Sequence, residues 1–80
     1  MTAPALSKIV LDFEAAALRA VATGGTASDI ERAHEAAIER LRDIKASCEA
    51  EGQLAPFYLA VLELETKLKM AVEAVGAVKR

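Results

Sequence analysis

The chain is 80 residues long, room for one domain (1–80), and its single cysteine excludes an internal disulfide. A 54% apolar share, with 28% charged residues of mixed sign, excludes a disordered chain. A net charge of −2 argues against nucleic acid and anionic membranes as partners, since both call for a cationic field.

Cores below roughly 70–80 residues usually lean on a disulfide, a metal or a partner chain, and here the disulfide is ruled out. A lone cysteine fits a reducing compartment. The N-terminus lacks a basic stretch, and Asp12, Glu14 and Arg19 interrupt the first apolar run. The expectation is a chain without signal peptide or membrane-spanning helix, working in the cytoplasm.

The first element is a helix over about 4–22. Leu6, Ile9, Val10, Phe13, Ala17, Ala20 and Val21 recur at steps of three and four, which makes one apolar stripe. Leu11 and Leu18 lie seven apart on a flank, roughly 100° from the centre of that stripe. Glu14 falls between flank and stripe. The paired glycines of "TGGT", Thr23 to Thr26, end the helix. This loop is not a phosphate cradle, because no Gly-Lys-Ser/Thr follows.

The second helix is expected over about 29–51. "SDIE" reads as a capping box, with Ser28 accepting from the Glu31 amide and the Glu31 side chain reaching back. Ile30, Ala33, Ala37, Leu41, Ile44 and Cys48 form its stripe, and the opposite side is charged throughout. Glu31 and His34 have the Glu-x-x-His spacing that holds metal in ferritin-like bundles. The one partner carboxylate on helix one, Glu14, would stand roughly 9 Å away along the axis at 1.5 Å per residue. The reading preferred is Glu31 as a cap and His34 beside the core, with no cofactor and no metal. Cys48 reads as a small hydrophobe near a helix C-terminus, where the dipole disfavours a thiolate. Ser7, Ser28 and Ser47 have no context for a triad. Arg40, Arg42 and Lys45 are interleaved with Glu39, Asp43 and Glu49, so no basic stripe forms. An enzyme is not expected.

"EGQLAP", Glu51 to Pro56, is the second turn. Gly52 suits the position past a helix end, and Pro56 suits a first turn. A third helix is expected over about 56–78. Its stretch from Leu62 to Val72 alternates apolar and charged residues like a strand. Glu63 with Lys67, and Glu65 with Lys69, are spaced i,i+4 in the favourable order, which decides for helix. Phe57, Val61, Leu64, Leu68, Val72 and Val75 then share one face. Leu62 and Met70 point the other way, beside Leu59, Thr66 and Ala77. Lys79 and Arg80 close the chain, where cations suit a helix end. Leu11, Leu18, Tyr58, Leu59, Leu62, Thr66 and Met70 together exceed what a solitary bundle hides. Fully burying one leucine or methionine is worth about 1.5–3 kcal/mol, so these residues are the expected interface.

Leu59, Ala60, Leu64, Glu65, Ala71, Ala74 and Val75 form a Leu-Ala…Leu-Glu…Ala…Ala-Val run in helix three. In this helix the chain resembles a phage family of small helical cyclic-oligonucleotide sponges, which block nucleotide-signalled bacterial immunity. That family's Arg-Glu-Lys-type segment is "QLAPFY" here, and its Trp and Asn fall on Met70 and Val72. No ligand residue carries over. The resemblance implies an oligomeric, non-enzymatic binder of a small ligand.

The expected fold is all-α, an up-down-up antiparallel bundle of three helices. Its core should hold Ile9, Val10, Phe13, Ala17, Val21, Ile30, Ala37, Leu41, Ile44, Phe57, Val61, Leu64, Leu68, Val72 and Val75. Helices one and three should carry the patch, and helix two should stay outside. The expected function is a non-catalytic interaction protein, an inhibitor or adaptor of mobile-element origin. It would self-associate, most simply as a dimer, and bind a protein partner. The alternative is a small-ligand sponge.

Overall fold

The structure, a computed structural model, describes residues 4–78, with side chains from 5 to 76. Ala77, Lys79 and Arg80, named above for helix three, lie outside those described side chains or residues. Three helices follow one another: α1 Pro4–Ala22, α2 Ala27–Ala50 and α3 Leu54–Val78. Each packs against the other two. They form a three-helix rod of 46 × 16 × 15 Å. No strand occurs among the described residues, so the alternating stretch of α3 is helical as expected.

Both turns end their helix in the same way. Gly24 (φ 74°) and Gly52 (φ 70°) take the left-handed conformation just past α1 and α2. At α1 the Gly25 amide donates to the Ala20 carbonyl (2.6 Å) and the Gly24 amide to Val21 (3.5 Å). At α2 the Gln53 amide donates to Cys48 (2.7 Å) and the Gly52 amide to Glu49 (3.2 Å). These are two Schellman motifs, which satisfy carbonyls that the helix end would otherwise orphan.

The start of α2 differs from the expected one. Thr26, not Ser28, is the N-cap, in extended conformation (φ −104°, ψ 164°). The Asp29 amide donates to the Thr26 hydroxyl (3.3 Å), and the Thr26 amide donates to the Asp29 carboxylate (2.9 Å). Gly25 delivers the chain to Thr26 already extended, so the helix opens at Ala27 and Glu31 stands beyond the first turn. Asp29 also binds Arg32. The α3 start also moves, from Pro56 to Leu54. Proline is tolerated at the third helical position because that amide has no intrahelical acceptor; the first such bond runs from the Phe57 amide to Gln53 (3.0 Å).

Leu6, Ile9, Val10, Phe13 and Ala17 from α1 meet Ile30, Ala37, Leu41 and Cys48 from α2, and Phe57, Ala60, Leu64 and Val75 from α3. Val21, Ile44, Val61, Leu68 and Val72, expected in the core, are only half-buried and pack against its edge. Three rods enclose a narrow arc of each helix, and these residues sit at its margins. Ala60 was not foreseen in the core; a small side chain there lets α3 approach α1. α2 exposes no large apolar side chain, while α1 and α3 do.

Candidate functional site

In the described structure α1 and α3 run parallel, with α2 antiparallel to both. Their register brings Leu6 beside Leu59, Glu14 beside Lys67 and Val21 beside Ala74. Leu11, Leu18, Tyr58, Leu59, Leu62 and Met70 are 52–65% exposed, and Thr66 is exposed too. The Thr66 hydroxyl donates to the Leu62 carbonyl (3.0 Å), so its polar group is bonded within the helix.

Two grooves run between α1 and α3 on the solvent side. One, of about 520 Å³, is lined by Leu6, Ser7, Val10, Pro56, Leu59, Ala60 and Glu63. The other, of about 310 Å³, is lined by Glu14, Ala17, Leu18, Val21, Lys67, Met70, Ala71 and Ala74. The helices therefore bring Leu18 and Met70 together, and set Leu59 further along the same face. Leu11 stands between the two grooves on α1, one turn before Glu14. Tyr58 and Leu62 line neither groove. At about 100° per residue, Tyr58 lies a quarter-turn or more from Leu59. The Tyr58 ring stands edge-on to Phe57, centroids 5.4 Å apart, and Leu62 follows it one turn later, outside both grooves.

One polar contact divides the apolar face. The Lys67 ammonium meets the Glu14 carboxylate at 2.8 Å, with both side chains half-buried. The i,i+4 spacing pairs Lys67 with Glu63, but Lys67 reaches across to α1. Glu14 holds the Lys67 pKa above its ordinary value, chiefly by accepting its hydrogen bond, and Glu63 adds to the field. The pair ties α1 to α3 midway along the face. No local motif in the sequence announces it, because its members belong to different helices.

A second ion-paired seam binds α1 to α2. Arg40 donates to Asp12 at 2.9 Å, and Lys8 stands 3.6 Å from the same carboxylate. The Arg40 hydrogen bond holds Asp12 below the usual carboxylate range. The Thr26 amide does the same for Asp29, with Arg32 contributing.

Glu31 and His34 do not converge on a shared centre. Glu31 is exposed, and the His34 ring stands edge-on to Phe13, centroids 5.8 Å apart, as an aromatic packing residue. Glu14, the carboxylate that would complete a metal set, is occupied by Lys67. No group of three or more His, Cys, Asp or Glu that could hold a metal ion occurs among the described residues. Cys48 is buried on the α2 stripe. No described helix is long and apolar enough to cross a membrane. Comparison with family models, with curated proteins and with solved structures returns no match to this chain.

Proposed function

We propose that this chain is a small, non-catalytic interaction protein of the cytoplasm, an inhibitor or adaptor that self-associates and binds a protein partner. The observation that carries the reading is the concentration of exposed apolar residues on two of three helices. Leu11, Leu18, Leu59, Leu62 and Met70 lie on α1 and α3, while α2 presents charge. Scattered single leucines are ordinary on a protein surface. Five such residues on one pair of adjacent helices, in a chain this small, argue for a cover. The α1–α3 face serves self-association. Tyr58 and Leu62, exposed and outside both grooves, form an apolar pair one helical turn apart that remains for a protein partner.

The test is Leu59→Asp and Leu18→Asp, each measured by sedimentation and circular dichroism. The expected outcome is a fall in mass to the monomer, with at least a tenfold weaker association (about 1.4 kcal/mol or more), while helicity persists. Unchanged mass in both variants overturns the reading.

A second reading, an oligomeric sponge for a small ligand such as a cyclic nucleotide, draws on the groove with the Glu14–Lys67 pair at one end and Leu18 and Met70 along its walls. Its volume of about 310 Å³ is at the lower bound of small-molecule sites. A thermal-shift screen of cyclic nucleotides separates the two, since a ligand of the folded state raises the melting temperature by mass action. No shift with any of them removes the sponge.

A further inference from the structure

We propose that the α1–α3 face is covered by a second copy of this chain, related by a two-fold axis parallel to the rod, so that α1 of each copy lies along α3 of the other. This rests on the self-association proposed above and adds its geometry. An isologous contact needs a two-fold axis within the interface. With helices lying flat on that plane, the axis runs either across them or along them.

An axis across the helices sets α1 antiparallel to the second copy's α1. Placing Leu11 of one copy on Leu18 of the other centres that axis at Glu14, midway between them. Glu14 then faces Glu14, and Lys67, level with it, faces Lys67. Like charges meet at the middle of a dehydrated interface, an arrangement costing several kcal/mol.

An axis along the helices gives the opposite result. Every level of α1 meets the same level of the second copy's α3. Glu14 faces Lys67 of the second copy, and Lys67 faces its Glu14. The two ion pairs, each closed at 2.8 Å within its own chain, become a ring of four alternating charges. Each ion loses water but gains a second counter-ion, which offsets the desolvation. The apolar residues match in the same register. Leu18 meets Met70, since the two share one groove wall to wall, and Leu59 meets Ser7, which shares the other. Leu11 falls level between Leu62 and Thr66.

The area approaches that of a standard contact. Leu11, Leu18, Leu59 and Met70, each 62–65% exposed, are the centre of the patch. They leave on the order of 400 Å² open, and the alanines, Ser7, Thr66 and the ion pair around them extend it toward the about 800 Å² per partner of a standard interface.

The experiment maps orientation by disulfide trapping in a Cys48→Ala background. Leu18→Cys protein is mixed with Met70→Cys protein and, separately, with Leu11→Cys protein, and each mixture is oxidised. Circular dichroism checks folding, which is expected to survive because all three positions are exposed. The expected result is a cross-linked heterodimer from Leu18→Cys with Met70→Cys, and little from Leu18→Cys with Leu11→Cys. Preferential Leu18-to-Leu11 linkage overturns this arrangement while leaving self-association standing. A monomeric mass for the unsubstituted chain at high concentration overturns both. A second pair of variants tests the ring: Glu14→Lys and Lys67→Glu should each be monomeric alone and dimerise when mixed. Dimers of undiminished affinity from either alone remove the charge ring.

Discussion

Gly52 and Gly76 illustrate how one residue type serves opposite ends. Gly52 holds φ at 70°, where a side chain is strained whatever space surrounds it. Gly76 lies within α3 and does not share that conformation; a methyl group added there meets nothing within 4 Å. Gly52→Ala should therefore lower stability by about 1–2 kcal/mol, the cost of a left-handed alanine. Gly76→Ala should raise it by about 0.5–1 kcal/mol, because alanine leaves the unfolded chain less freedom to lose. Thermal melts followed by circular dichroism check both signs. Gly52 was legible in the sequence from its place after the α2 stripe. Ala60 was not, since a small residue on an apolar arc becomes a contact only when a neighbouring helix closes on it.

At the scale of an element, the caps decide where α2 begins. Ser28 and Glu31 have the right spacing for a capping box, and so do Thr26 and Asp29. The second pair wins because Gly24 and Gly25 release the chain early enough for Thr26 to be extended. Thr26→Ala should cost about 1 kcal/mol, and Ser28→Ala well under half of that, in the same melts. Asp29 and Asp12 also set an acid response. Both pKa values are lowered in the folded chain, Asp29 chiefly by the Thr26 amide and Asp12 chiefly by Arg40. A lowered folded value means the stabilisation is complete above the unfolded carboxylate pKa and is lost as pH falls through the folded one. Stability should therefore decline below about pH 4, the ordinary aspartate range. Asp12→Asn should shrink that decline in acid melts.

At the scale of the whole molecule, the rod has a charged side and an apolar side. α2 gives its outward surface to Arg32, Glu35, Glu39, Arg42 and Asp43, while α1 and α3 expose leucine and methionine. The self-association proposed above predicts that the folded state is stabilised by the chain's own concentration, because a second copy would bind the folded state alone. The melting temperature should rise with protein concentration, and Leu59→Asp should abolish the rise. A concentration-independent melt of the unsubstituted chain would contradict self-association.

Helix existence, the order of the three helices, and the surplus of apolar residues on the first and third were determined by the sequence alone. Each depends on periodicity and turn chemistry within a few residues, which any reader of the chain can follow. Tertiary structure alone decided that Lys67 bonds Glu14 rather than Glu63, and that Leu18 and Met70 share a groove while Tyr58 and Leu62 stand apart from it. The register and rotation of one helix against another follow from side chains distant in sequence packing together. That information resides in no single segment, so periodicity can place a residue on a flank without saying what the flank will meet.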